Sequence, residues 1–264
     1  MDPVYRVGTD VSVLPSQLVV PGVGNIPINA FVLHAEQPML IDTGLSVDEP
    51  AFVDALRSVI DPADLRWIWL THDDSDHTGS LQTVLGLAPE AKLATHGFSA
   101  VRMNTQWPVP LDRVHAVAVD DRLDLGDRTV RAFRPPTFDN PMTTGLLDES
   151  TATLFSVDSF GAILPRTDPD IDAYSAEELA VGMTTWATFD SPWLHLTDRN
   201  RLAHVLNEIR RLAPERVLGS HLPPAIGRLE SLLGLIASIP DADPFVAPDA
   251  ESFSLVAEAI TATS

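Results

Sequence analysis

The sequence predicts an α/β (α+β) protein, and two observations carry that expectation. Short apolar runs bounded by turn residues, such as residues 39–41 and 67–70, read as buried strands. Longer segments such as residues 48–60, with Phe52, Val53, Leu56 and Ile60 at one-face spacing, read as helices packed along one side. A chain of 264 residues is long enough for one large core or two small ones.

Residues 17–20 and 30–33 are expected as strands joined through Pro-Gly and Gly-Asn turns, followed by the strand at 39–41, which ends on Asp42-Thr43-Gly44. The helix at 48–60 then leads to the strand at 67–70. Directly after that strand comes Thr71-His72-Asp73-Asp74-Ser75-Asp76-His77-Thr78-Gly79, a dense set of nitrogen and oxygen donors for so short a span. Gly79 opens a short helix over 80–87, and a strand at 92–94, a helix at 98–104 and an alternating strand at 114–119 follow.

His96 stands at a strand-to-helix junction from which a side chain can reach a site mouth, although a lone His there is commonly a cap. His115, inside the alternating strand, is expected to be half-buried. A hairpin at 122–126 and 129–133 runs into Arg134-Pro135-Pro136-Thr137-Phe138-Asp139-Asn140-Pro141, whose prolines force an extended, turning path. The next strand, 151–157, ends on Asp158-Ser159-Phe160-Gly161.

Ser175-Ala176-Glu177-Glu178 has the form of a capping box and opens a helix to about Ala187. A second helix from Asp198 carries Leu202, Val205, Leu206, Ile209 and Leu212 on one face, with His195 and His204 peripheral. A strand at 216–218 delivers Gly219-Ser220-His221. Helices at 229–239 and 252–260 flank a Pro/Asp-rich linker at 240–249. The expected organisation is one domain over 1–228, with a helical extension at 229–264 packed on it.

The formal charge is −20, from 37 acidic and 17 basic residues, which argues against nucleic acid or an anionic membrane surface as partner. With no cysteine, a thiolate-held cluster is excluded, and any metal must rest on His, Asp or Glu. The N-terminus has no basic segment followed by an apolar core, and no window reaches the length of a membrane span. The expected location is cytoplasmic.

Asp and Ser are ordinary turn and cap residues, so a solvated acidic turn is the bland explanation of residues 71–79. Two histidines at the end of a buried strand favour another one. Asp73, Asp74 and Asp76 crowded at a strand-to-helix turn repel unless a cation neutralises them, and a divalent metal supplies that charge.

The stretch from His72 to His77 resembles the His-x-His-x-Asp-His motif of the metallo-β-lactamase fold, with Asp74 where a second His is usual. A carboxylate at that position is the pattern of the flavodiiron and oxygen-binding diiron branch, whose members usually carry Glu. Asp42-Thr43-Gly44 matches the Asp-x-Gly landmark of the same fold. Phe155-Ser156-Val157-Asp158-Ser159-Phe160-Gly161 resembles the stretch that contributes the metal-bridging Asp, and Ser220-His221 the one that supplies the last ligand.

This resemblance, over about residues 17–225, implies a four-layer αββα sandwich with a dinuclear site. It implies one metal on His72, Asp74 and Asp139, a second on Asp76, His77 and His221, Asp158 as the bridge, and Asp42 behind the ligands orienting one of them. Asp139 falls in the register where the family has its third His, and Thr137 is the nearest alternative. Asp76 and Asp158 are the expected catalytic pair. The oxygen-rich ligand set favours iron, with manganese and zinc as alternatives.

The activity implied is that of a flavodiiron-type oxidoreductase binding or reducing O2, NO or peroxide. No FMN site is expected in this chain, so electrons would come from a separate flavoprotein or reductase; a homodimer is compatible with the sequence. The alternatives are a metal-dependent hydrolase acting on an ester, thioester, lactam or phosphodiester, and a non-catalytic sensory module with a degraded centre. His96, Trp107, Phe138 and Phe160 are candidates to line the pocket.

Overall fold

A long hairpin dominates the N-terminal half. In the computed structural model, which describes residues 1–20, 22–247, 249, 254 and 257, β1 (Tyr5–Val7), β2 (Val11–Val20), β3 (Gly24–Leu33) and β4 (Met39–Ile41) pair antiparallel in order. β2 and β3 are each longer than the runs at 17–20 and 30–33 suggest. Pro15 and Pro27 break the apolar pattern, yet both sit where the neighbouring strand has already ended, so no ladder donor is missed.

Helix α1 (Glu49–Val59) crosses to β5 (Trp67–Trp69), which runs parallel to β4. A single turn, α2 (Ser75–Thr78), and α3 (Leu81–Leu87) lead to β6 (Lys92–Thr95). Then α4 (Gly97–Met103) leads to β7 (Val114–Ala116), and β5, β6 and β7 are parallel. The strand expected at 114–119 stops at Ala116, and His115 is exposed rather than half-buried, its ring packed edge-on against Trp67 at 5.4 Å.

The second sheet holds β8 (Arg122–Asp124), β9 (Thr129–Phe133), β10 (Gly145–Asp148) and β11 (Thr153–Val157) antiparallel in order. Three helices cover it: α5 (Ala176–Asp190), α6 (Arg199–Leu212) and, beyond the last strands, α7 (Leu229–Ser238). Between α6 and α7, β12 (Arg216–Gly219) pairs parallel with β11 and β13 (Ala225–Ile226) closes the edge. The expected capping box of α5 forms in full from Ser175 and Glu178, but the helix runs three residues past Ala187. The helix expected at 252–260 lies, apart from Ser254 and Ala257, outside the described residues.

Three apolar layers separate helices, sheet, sheet and helices. Leu14, Val32, Leu40 and Ile68 pack with Phe52 and Leu56 of α1 and Leu81 and Val84 of α3 on one outer face. Phe31, Ile41, Trp69, Leu146, Phe155 and Leu218 fill the space between the sheets, where Phe31 and Phe155 meet edge-to-face at 5.3 Å. Leu154 and Val217, each one residue from an inward-facing neighbour, point outward to Met183, Leu206 and Ile236. Strands buried on both faces explain the unbroken apolar runs. The arrangement is the expected αββα sandwich, and β4, β5, β11 and β12 all end at one edge of it.

At the opposite end of β12, charges tie the sheets together. Arg128 Nη1 lies 3.1 Å from Asp10 Oδ2 and 3.0 Å from the fully buried Asp148, while Arg216 Nη1 lies 3.0 Å from Asp10 Oδ1.

Candidate metal centre

The turn after β5 is clamped to the loop after β4. Thr43 donates through both its amide and its hydroxyl to the His77 carbonyl at 2.8 Å, Gly79 N–H donates to Gly44 O at 2.8 Å, and Ser80 N–H to Thr43 O at 3.1 Å. Gly79 is required by this approach, because a Cβ there would sit 2.2 Å from backbone atoms of Leu45 and Ser46. Asp42 itself adopts the left-handed region, with φ 57°.

Buried Asp42 accepts from Thr71 N–H at 2.9 Å through Oδ1 and from His77 Nδ1 at 2.8 Å through Oδ2. With Nδ1 so engaged as a donor, His77 presents the Nε2 lone pair to the cluster, 3.1 Å from Asp158 Oδ1 and 3.6 Å from Asp76 Oδ2. His221 is fixed in the same way. Its Nδ1 donates to the Pro27 carbonyl at 2.8 Å, so Nε2 faces Asp158 Oδ1 at 3.0 Å and Asp76 Oδ2 at 3.4 Å. His72 Nε2 lies 3.3 Å from Asp158 Oδ2 and 3.8 Å from Asp74 Oδ2.

Asp158 is thus surrounded by three imidazoles at the end of β11. Its neighbours Val157 (φ 58°) and Phe160 (φ 69°) both lie in the left-handed region, which is costly for a β-branched residue. A ladder irregularity between Phe155 and Val157 and the bond from Ser220 N–H to Val157 O (2.9 Å) hold that turn in place.

Protonation follows the packing. Burial by itself would raise the Asp158 carboxyl, but His72, His77 and His221 hold it well below the ordinary range. With no cation in the cluster, burial disfavours charge on His77 and His221 too, yet Asp76, Asp42 and Asp158 raise His77 well above its usual value and the hydrogen bond with Asp158 raises His221, so the Nε2 proton is the one a bound metal would displace. His72 is pushed down by burial and by His77. Asp139 is pushed up to about 7 by partial burial of its carboxyl and by Asp158 and Asp74.

The ligating atoms fall into overlapping groups within 4.8 Å: His72, His77 and Asp158; Asp76, His77 and His221; His72, Asp74 and Asp139. All seven residues the resemblance implies as ligands therefore fall in these overlapping groups. Asp73 turns away, accepting from Ser99 Oγ at 3.0 Å and Asn140 Nδ2 at 3.2 Å and pairing with Arg102 Nε at 3.0 Å. Thr137 is committed elsewhere, its N–H and hydroxyl both bonded to Ser159 Oγ at 3.0 Å.

A fourth group joins Asp139 and Asp158 to Asp190, which the sequence reading passed over. Asp190 is the last residue of α5, beyond the helix end expected at Ala187, and no motif marks it. Its carboxyl is pushed up to about 8 by burial and by Asp158 and Asp139.

Other candidates lie elsewhere. His96 caps α4, its Nδ1 accepting from Phe98 N–H at 3.2 Å. His204 is exposed on α6, 3.5 Å from Glu208, and His195 lies in the short helix Pro192–Leu196. Trp107 packs in the outer core beside α1 and α3, and Phe160 in the core beneath α5. Phe138 does stay near: Trp193 packs against its ring at 5.3 Å and donates Nε1–H to its carbonyl at 2.8 Å, fixing the loop that carries Asp139.

The donor set fits divalent metal ions. Two imidazoles have their tautomers set so that Nε2 lone pairs converge, and one carboxylate, Asp158, reaches both groups of donors. One group is rich in imidazole and the other in oxygen.

Comparison with known proteins agrees with the fold. An anaerobic nitric oxide reductase flavorubredoxin of Salmonella typhi is 30% identical over 134 residues, which are 50% of this chain and 28% of that protein. The rubredoxin oxygen:oxidoreductase of Desulfovibrio gigas superposes with a TM-score of 0.80 at 18% identity, over 92% of this chain and 62% of that one. The flavodiiron protein of Giardia intestinalis superposes with a TM-score of 0.75 at 14% identity, over 91% and 59%. The structural likenesses show the fold, and the chain spans about a quarter of the length of the curated relatives it matches. The family model described as ODP family beta lactamase matches residues 26–221, and the chain belongs to that family.

Proposed function

We propose that this chain is the two-metal unit of a flavodiiron-type oxidoreductase, holding two iron ions and reducing a small molecule such as O2 or NO with electrons from a flavoprotein or reductase. The observation that carries the reading is the convergence of His72, His77 and His221 on Asp158 from the ends of β5, β11 and β12, with Asp74, Asp76 and Asp139 around them. Bound iron would relay the donor's electrons and offer the open coordination positions that such a reduction needs. His72, Asp74 and Asp139 are assigned to one ion, Asp76, His77 and His221 to the other, and Asp158 to both.

The protein's own contribution is positioning. Asp42 and the Pro27 carbonyl orient His77 and His221, so these ligands enter the site with little freedom to lose. Trp186 covers one side, its ring 4.4 Å from that of His221 and its Nε1–H donated to the Asp158 carbonyl at 2.9 Å, and it screens the centre from water on that face. Arg134 holds the 134–143 loop by donating to the carbonyls of Pro141 and Thr143 while stacking 5.2 Å over Phe138. The relatives' names, a nitric oxide reductase and an oxygen:oxidoreductase, support the choice of NO and O2.

The test is metal content after expression with iron, manganese and zinc all available, followed by O2 and NO consumption with a reduced flavoprotein as donor. Two irons per chain and donor-dependent consumption of either gas are expected. Two zincs with hydrolysis of an ester or thioester, and no gas consumption, would overturn the reading in favour of a hydrolase.

A further inference from the structure

Asp190 belongs to no sequence motif of the chain, yet its carboxylate lies within 4.8 Å of those of Asp139 and Asp158. This is not an acidic surface cluster. Asp158 is 3% exposed and sits 3.3 Å from the Nε2 of His72, which is 1% exposed, so the three carboxylates open directly onto the imidazole side of the centre.

The placement is rigid. Trp186, one helical turn before Asp190 and on the same face of α5, is tied to the Asp158 backbone at 2.9 Å and to the His221 ring at 4.4 Å. Gly182, a further turn back, packs so closely on Ile163 that an added Cβ would lie 2.5 Å from its carbonyl oxygen. The face of α5 at 182, 186 and 190 is therefore held against the turn that carries Asp158. Ser191 Oγ donates to Asp190 Oδ2 at 2.9 Å and fixes the carboxylate in turn.

Electrostatics runs against this arrangement when all three carboxyls are ionised. A carboxylate at the C-terminal end of a fifteen-residue helix meets the negative end of the helix dipole. Two further carboxylates within 4.8 Å add to the repulsion. A cation among Asp139, Asp158 and Asp190 relieves both.

We propose that Asp190 is an additional carboxylate ligand, serving with Asp139 the metal held by His72 and Asp74, at the position where this chain lacks a further imidazole. The inference rests on the two-metal reading above. It makes this position a nearly all-oxygen one with a single imidazole, a set that suits iron or manganese better than zinc.

The test is anaerobic titration of the metal-free full chain with Fe(II) against a chromophoric chelator, with bound iron measured per chain. Wild type should bind two ions. Asp190→Asn, which keeps the shape and the Ser191 contact, should retain one ion at wild-type affinity and bind the other on the order of 100-fold more weakly. Asp190→Glu should recover part of that loss, and the metal-free variants should melt as wild type does. Asp158→Ala should lose both ions. If Asp190→Asn holds two ions at unchanged affinity while Asp158→Ala loses them, the inference is overturned and the two-metal reading survives. If wild type binds no Fe(II), both fall together.

Discussion

Asp42→Asn isolates the orienting role of a single buried carboxylate. Asp42, 2% exposed, serves three donors at once: Thr71 N–H at 2.9 Å, the Thr71 hydroxyl at 2.9 Å and His77 Nδ1–H at 2.8 Å. An amide of the same shape offers one acceptor and one donor. If its oxygen faces His77, its NH2 meets Thr71 N–H at donor-to-donor distance; if the amide flips, His77 must accept at Nδ1 and carry its proton on Nε2, where the metal is assigned. Either outcome leaves a buried group unpaired or demands the wrong tautomer, at about 1–3 kcal/mol. That corresponds to about 10–100-fold weaker binding of the metal assigned to Asp76, His77 and His221. Anaerobic Fe(II) titration gives the affinity directly, and urea unfolding of the metal-free protein gives the stability cost separately. Wild-type affinity for both ions in Asp42→Asn would refute the argument that Asp42 sets the His77 tautomer.

Three further outcomes are expected. Gly79→Ala should destabilise the chain by about 3 kcal/mol and weaken metal binding, since the new Cβ meets Leu45 and Ser46 backbone at 2.2 Å; Gly86→Ala in α3, where nothing lies within 4 Å, should be neutral or stabilise by about 0.5 kcal/mol in thermal melts. Asp158→Ala should release both ions in a metal-content assay, whereas His204→Ala, at an exposed site on α6, should release none. Burial pushes the Asp10 carboxyl up, but Arg216 and Arg128 outweigh it and hold the group below its ordinary value of 3.8. The stabilisation from this network is therefore fully present above that value and is lost as pH falls through the depressed folded one. Urea unfolding of wild type from neutral pH to about pH 3 should show that loss. Asp10→Asn should flatten it and cost about 3 kcal/mol at neutral pH by leaving Arg216 without a carboxylate partner.

Legibility in the sequence tracked how local each feature is. Residues 72–77 were readable because four donors fall in one turn after a buried strand, and a strand end aims its successors at one edge of the sheet. Asp158 and His221 also follow strand ends, β11 and β12, and their family-like segments marked them. The lengths of β2 and β3 were hidden because Pro15 and Pro27 disguise strand edges as breaks. The exposure of His115 was missed because alternation signals a half-buried strand but does not say where pairing stops; β7 ends one residue later. Asp190 left no local trace. It stands at the end of a helix read three residues too short, and only the packing of α5 on the Asp158 turn brings it to the centre.

The two proposed metal positions are built on unlike supports. The position assigned to Asp76, His77 and His221 draws two ligands from the single-turn helix α2 and one from the residues after β12, with two imidazoles whose rings are fixed by Asp42 and the Pro27 carbonyl. The position assigned to His72, Asp74 and Asp139 draws one ligand from a strand end, one from the N-cap of a single-turn helix and one from a proline-rich loop, and Asp139 is exposed. Rotatable carboxylates on loop and helix termini adjust their distances at lower cost than imidazoles fixed in a core. Under the proposed reduction, a centre that admits a ligand and changes oxidation state needs one side that yields and one that does not. Asp158, bonded to the buried imidazoles on one side and open to Asp139 and Asp190 on the other, is the residue through which the rigid half would hold the adaptable half in register.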